Sequence, residues 1–586
     1  MRTRTRAGGL VAVVVAGALA LSGCSSSGGG GNDDTAKSNA SYGGAIDGIV
    51  NASTKTGGTL KLAAASDCDS WDPQRTYYGW CWNMQRTFTR SLVGFSKVNG
   101  DKPEITGDLA TGLGEHNSDY TKWTYTLRKG LKFSTGAAIT PKDVKYGIER
   151  LFAVDVINGG PAGYYINSIE HPKDYAGPYK SGDLDSIQTT DDTITFNLSS
   201  ANADFDYLMA LPAAAPVPYK TEGGSGYTGA NYGKKPVSSG PFVITSYTQN
   251  KSVTFERNKY WDKSTDPIRK PVADGMTLTI NSSPQDIDQK LQAGTYDAKM
   301  DIDIGSTLQT AVLRDADLKK NADDAPTPFI RYLTIQQSVV DNVHCRRAIQ
   351  YATNKAAVLQ AFGGPLHGTI AGAMTPITIP GHDEDLDTYP NGAKNTGDLA
   401  KAKEELAACG KPDGFSTKFT YNTPSETGPK VFAAMQSSLA RVGIKITAAP
   451  NASSTYYSTW LGSPRNVKQQ GIGIGVAGWG ADFPTGYGFW NNIANGSAIL
   501  QTGNSNYPSL DDKTVNGIID ASRTGKSTDA DWLTVNKTVM DSAVYLPVFY
   551  GKTLWYRSPR LTNVTSDNAL GFGAYDVVNV GTTDGK

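Results

Sequence analysis

Asp482 is the acid best placed to do chemistry in this chain. It follows an apolar, glycine-rich run, Gly473-Ile474-Gly475-Val476-Ala477-Gly478, and stands between the indole of Trp479 and the pair Phe483-Pro484. A carboxylate at the end of such a strand sits in partly dry surroundings, where an ionised group wants a cation. An ammonium about 4 Å away would be attracted by about 4 kcal/mol at an effective dielectric of about 20, before desolvation is subtracted. Capping of the next turn by the Asp482 side chain is the competing reading. A second concentration of interest is aromatic. Trp71, Tyr77, Tyr78, Trp80 and Trp82 lie within or beside the segment between Cys68 and Cys81. Aromatic loops make rigid apolar walls, and core packing accounts for part of this set.

Other patterns that carry chemistry elsewhere fail on their surroundings. The glycine run matches G-x-G-x-x-G, but Trp479-Gly480-Ala481-Asp482-Phe483-Pro484 cannot open a helix, and no acid follows until Asp511. A dinucleotide site needs both. Glycines alternating with Ile and Val point instead to a tightly packed strand approached closely by another backbone. Gly525-Lys526-Ser527 resembles the end of a phosphate loop, yet Asp520 occupies the position of its first glycine. The five histidines are scattered, and neither a zinc-protease nor a G-x-S-x-G signature occurs. Asp383, Glu384, Asp385 and Asp387 lack the spaced oxygen ligands of a calcium loop. No nucleophile, base and oxyanion donor come together, so the chain reads as a binder with no catalytic residues, metal or cofactor.

The elements that must position these residues alternate between strand and helix. Trp123 to Leu127 and Thr193 to Leu198 alternate with period two, as half-buried strands do. Thr140-Pro141-Lys142-Asp143 combines an N-cap, a proline at the first helical position and an acid three residues after the cap. Asp398 caps a second helix that stops at Gly410. A third ends at Gly443 and turns directly into the strand Ile444-Lys445-Ile446-Thr447. Helix-glycine-strand junctions build α/β layers.

A chain of 586 residues divides into more than one domain. Lys+Arg and Asp+Glu both number 56, which removes any bulk electrostatic case for nucleic acid. Arg2, Arg4 and Arg6 precede an uncharged apolar run from Leu10 to Leu21, and small residues then lead to Cys24. This is a secretory signal, too short for a comfortable permanent span. Leu21-Ser22-Gly23-Cys24 looks like a bacterial lipobox, with Cys24 the lipidated residue and the outer face of the cell membrane its destination. A polar stretch to about Gly57 reads as a flexible tether. Removing Cys24 leaves four cysteines, which allow three pairings. Cys68–Cys81 and Cys345–Cys409 are preferred because each pair lies in one stretch of apparently continuous structure, with buried free thiols as the alternative.

Several segments resemble a known family in that family's own order. They are Thr124-Tyr125-Thr126-Leu127-Arg128-Lys129-Gly130-Leu131-Lys132-Phe133, Thr140-Pro141-Lys142-Asp143-Val144, Ser239-Gly240-Pro241-Phe242 with Glu256-Arg257-Asn258-Lys259-Tyr260-Trp261, Arg346-Arg347-Ala348-Ile349, and Ala477-Gly478-Trp479-Gly480-Ala481-Asp482-Phe483. The chain resembles the solute-binding lipoproteins of ABC importers, in their oligopeptide/dipeptide-binding branch. The resemblance implies an α/β, two-lobe periplasmic-binding-protein-like (type II) fold, with two crossing strands and an extra subdomain in lobe 1. Its boundaries here are a signal at 1–23, a lipidated tether at 24–56, lobe 1 at 57–324 with the subdomain at about 96–234, lobe 2 at 325–546, and a return at 547–586.

By the same resemblance Asp482 holds a peptide ammonium, and Trp479 and Tyr457 line side-chain pockets; Gly480 and Phe483 beside that acid, and Tyr77 and Trp80 from the aromatic cluster, complete the expected ligand-contacting set. Val476 stands where some members carry an arginine, and the acid expected soon after Asp72-Pro73 is replaced near Tyr77. The expected function is a monomeric, lipid-anchored receptor that delivers short peptides to a membrane permease. A non-peptide solute such as an oligosaccharide is the alternative, and an exported hydrolase a distant one.

Overall fold

The computed structural model describes residues 40–97, 103–157, 160–222, 229, 231–281, 283–301, 303–423, 425, 427–452, 455–501, 503–566 and 574–585. The expected signal, Cys24 and the tether up to residue 39 lie outside the described residues. The rest of the expected tether is not one. Gly44–Asp47 is a short helix, Val50 bridges to Val564, and the Ala45 N–H donates to Asp323 Oδ1 at 2.9 Å. Ala45 and Val50 are buried in the first-lobe core, with Ile46 packed against it.

Local sequence chemistry produced the elements it announced. The helix Pro141–Arg150 opens with a capping box, in which the Thr140 N–H donates to Asp143 Oδ2 at 2.7 Å. Asp398 Oδ1 accepts from the Lys401 N–H at 3.0 Å and starts Leu399–Ala408. Thr427–Ala440 turns at Gly443, whose φ of 81° favours glycine, into Lys445–Ala448. Both preferred disulfides are present, Cys68 bonded to Cys81 and Cys345 to Cys409.

Each lobe is built on its own sheet. The first has the strand order Ala298–Lys299, Thr59–Ala64, Gly275–Ile280, Ser252–Arg257, Phe242–Thr248. The second runs Gly368–Ile370, Tyr545–Tyr556, Ala322–Ile335, Ile472–Gly480, Ser416–Thr420, Lys445–Ala448. A further sheet of Glu115–His116, Lys122–Thr126, Thr193–Asn197 and Ile187–Thr189 carries the core of the extra subdomain.

Two long antiparallel strands, Ala322–Ile335 and Tyr545–Tyr556, connect the lobes. At one end Ala325 and Trp555 pack in the first lobe, and at the other Ile330, Tyr332 and Tyr545 pack in the second. Their pairing shifts between Pro326 and Ile330. Pro326 and Pro328 lie at that break and have no N–H to give the ladder. The interruption therefore falls between the two cores, where a hinge belongs.

Buried arginines fasten the subdomain to the first lobe. Arg150 Nη2 donates to Asp72 Oδ2 at 2.6 Å, and Nε to Glu222 at 2.9 Å. Arg90 and Arg269 share Asp108 at 2.7 and 2.8 Å. Each charge is paired and further hydrogen-bonded, the condition on which buried ions are tolerated.

Candidate ligand-binding cleft

A cleft of about 840 Å³ lies between the lobes. Tyr77, Trp80, Asp301 and Asp303 form its first-lobe wall, Tyr457 and Val476 its second-lobe wall, and Phe329, Arg331, Phe549 and Lys552 its floor on the crossing strands. That volume lies within the range of small-molecule sites.

The glycine strand Ile472–Gly480 runs beside this floor, antiparallel to Ala322–Ile335 and parallel to Ser416–Thr420. A Cβ at Gly473 would meet Thr417 Oγ1 at 2.1 Å, at Gly475 Leu461 Cδ1 at 2.5 Å, at Gly478 Arg331 Nη1 at 2.5 Å, and at Gly480 the Phe329 ring at 2.5 Å. The close approach expected of another backbone is thus made by side chains. It explains why small residues recur along this strand, and no helix opens at the third glycine.

Asp482 lies just past the strand's end, at the seam of the lobes. Its Oδ2 accepts from the Tyr77 hydroxyl at 2.7 Å and the Tyr164 hydroxyl at 2.5 Å, both from the first lobe. No cationic side chain pairs with it among the described residues. Loss of water pushes the Asp482 carboxyl up from its ordinary pKa, and the two phenols pull it partly back.

Phe483, the next residue, crosses the seam. It is 3% exposed and belongs to the subdomain's core, stacked on Tyr207 at 5.7 Å and edge-on to Tyr164 at 5.8 Å. Thr485 then donates to Asp204 Oδ2 at 2.6 Å, and burial pushes that carboxyl up to about 6. Arg523 adds a bond from Nε to the Ala201 carbonyl at 3.1 Å.

The expected contact residues therefore divide. Tyr77, Trp80 and Tyr457 line the cleft, with Tyr77 44% and Tyr457 42% exposed. Asp482 lines a separate small pocket with Trp82, Asp108 and Phe483 and is joined to the cleft only by its bond from Tyr77, and Gly480 lies beside Phe329 on the floor. Trp479 faces the other side of its strand, where it packs on the second-lobe core and donates Nε1–H to the Phe489 carbonyl at 2.8 Å. Phe483 serves the seam. Sequence reasoning passed over Tyr164, Asp204 and Arg331. Tyr164 and Asp482 are 318 residues apart, and no local pattern joins them.

The family described as bacterial extracellular solute-binding proteins, family 5 (middle region), matches residues 104–500, and the chain belongs to it. Among solved structures, clavulanic acid biosynthesis oligopeptide binding protein 2 is 39% identical with a TM-score of 0.87, covering 93% of this chain and 99% of its own. Heme-binding protein A of Haemophilus influenzae is 26% identical over 535 residues, 86% of this chain and 88% of the relative. A probable D,D-dipeptide-binding periplasmic protein of Escherichia coli is 25% identical over 511 residues, 84% of this chain and 88% of the relative.

Proposed function

We propose that this protein is the solute-binding component of an ABC importer, that it encloses short peptides between its lobes and hands them to a membrane permease. Lipidation at Cys24 then holds it, as a monomer, at the outer face of the cell membrane. The observation that carries the peptide reading is the charge at the seam. Asp482 is an ionisable group with neutral phenol donors only, and a peptide ammonium supplies the missing positive charge. The relatives named for oligopeptides and D,D-dipeptides point the same way. Tyr77, Trp80 and Tyr457 give apolar walls for varied side chains, and closure about the crossing strands excludes water. The site works by binding rather than turnover.

Mass spectrometry of material that co-purifies with the protein, followed by calorimetry with the recovered species, tests this. Peptides are expected. An oligosaccharide or haem without peptide would overturn the reading. Asp482→Asn keeps an acceptor for both phenols and removes the charge, so peptide affinity should fall by about 2–3 kcal/mol with little change in thermal midpoint. Unchanged affinity in that variant rejects the ammonium anchor.

A further inference from the structure

The second lobe grips the extra subdomain away from the ligand cleft. Two of its segments do so. One is Asp482-Phe483-Pro484-Thr485, just past the glycine strand, and the other is the turn Arg523-Thr524-Gly525 after the helix Lys513–Ser522. Phe483, Thr485 and Arg523 do not line the cleft, and neither do Asp204 and Tyr207, which receive them on the subdomain.

Bonds at the turn run in both directions. The Ala203 N–H of the subdomain donates to the Arg523 carbonyl at 2.9 Å. Arg523 returns Nε–H to the Ala201 carbonyl at 3.1 Å and Nη2–H to the Ser200 hydroxyl. A backbone bond flanked by two side-chain bonds forms only when the turn lies squarely on residues 200–203. Gly525 is cleared for the same approach, since a Cβ there would meet the Tyr120 hydroxyl at 2.8 Å. Tyr120 itself holds a left-handed backbone, with φ 56°, and its carbonyl accepts from the Asn202 N–H at 3.1 Å. Strain of that kind persists only where the surroundings hold it.

Phe483 supplies the apolar part. Its ring sits in the subdomain's core although its chain belongs to the second lobe. Buried Arg150 and Asp72 fasten the subdomain to the first lobe, so those two bodies move together. Opening at the break between Pro326 and Ile330 must then draw the Phe483 ring into water and part Arg523 from residues 200–203.

We propose that the extra subdomain is a catch for the second lobe, one that favours the closed form whether or not a solute is bound. It goes beyond the peptide reading and does not depend on which solute fills the cleft. Contacts made only in the closed form add the same free energy to every closed complex. The catch therefore sets how firmly any ligand is held, while the cleft sets which ligand it is.

Arg523→Ala tests this, because it removes both side-chain bonds and leaves every cleft residue in place. Small-angle scattering of the ligand-free full chain at pH 7.5 should show a more open average for Arg523→Ala than for the wild type, with Arg523→Lys between them. Calorimetry with two unlike probes, trialanine and trilysine, should show both losing affinity by one common factor of about 3- to 5-fold. The thermal midpoint should stay put. Identical scattering from the ligand-free variant and wild type overturns the catch. So does a loss confined to one of the two peptides, which would move the effect into the cleft. If the wild type binds neither peptide, the peptide reading falls and the scattering still decides the catch.

Discussion

Arg150 and Arg331 put one side chain to two uses. Arg150 is fully buried between the subdomain and the first lobe, and Asp72, Gln74, Tyr179 and Glu222 take its donors. Arg331 is exposed to the cleft with no acid to meet it. The same contrast divides the acids. Asp108 is shared by two arginines, whereas Asp482 has two neutral hydroxyls. Where the fold needs a charge it supplies the partner. Arg331 on the cleft floor and Asp482 at the seam have no opposite charge among the described residues.

The largest effect should come from breaking the satisfied side. Arg150→Ala strands Asp72 and Glu222 in a buried site, and removing one member of such a network costs about 3–5 kcal/mol. Thermal or denaturant unfolding should show that loss directly. Arg150→Met should be tolerated better only if Asp72 and Glu222 are made neutral with it. If Arg150→Ala unfolds like the wild type, the division drawn between the two arginines is wrong.

Gly478→Ala sharpens the comparison from the other side. The added methyl meets the far end of a flexible side chain, so the guanidinium swings away at little cost to the fold. Stability should stay within about 0.5 kcal/mol, as for substitutions outside the core. Affinity for peptides should drop about 5- to 10-fold, because the guanidinium lines the cleft floor. Calorimetry beside thermal unfolding separates the outcomes. A fall in thermal midpoint with no change in affinity would make Gly478 a packing residue alone.

How much of this was legible beforehand follows the range of the physics involved. Thr140, Pro141 and Asp143 act within one helical turn, and the helix they announce is present. Trp123 and Tyr125 show their alternation over five residues. The glycines of Ile472–Gly480 announced close contact, but not that Thr417, Leu461, Arg331 and Phe329 make it. The resemblance gives Trp479 a pocket role, but alternation along Ile472–Gly480 turns its ring to the second-lobe core, on the face opposite Gly478 and Gly480. Ala45 and Val50 were hidden in a polar stretch, because their burial depends on Asp323 and Val564, both hundreds of residues away. The tyrosines on Asp482 come from distant segments too. A seam between lobes is made of such pairs, and a reading that moves along the chain meets each half alone.

The smallest effect belongs to the seam's own titration. With the lobes together, burial holds the Asp204 carboxyl up to about 6, partly offset by the Thr485 hydroxyl. Opened into water it would release its proton near the ordinary value of about 4. The closed form therefore binds the proton more tightly, and acid favours closure. That gain is complete below about pH 4, fades as pH rises toward 6, and is gone above it. A two-unit shift corresponds to about 3 kcal/mol at most. Asp204 keeps some exposure at the seam, and screening by water there brings the expectation down to about 1 kcal/mol. Small-angle scattering of the ligand-free protein at pH 4.5 and pH 7.5 should show a more compact average at the lower pH. Asp204→Asn should flatten that difference without touching the cleft's choice among peptides, because Asp204 bonds Thr485 at the seam and does not line the cleft. A pH response that persists in Asp204→Asn would move the titration to Asp482, whose carboxyl is raised by the same loss of water, and would tie closure to the ligand's own anchor.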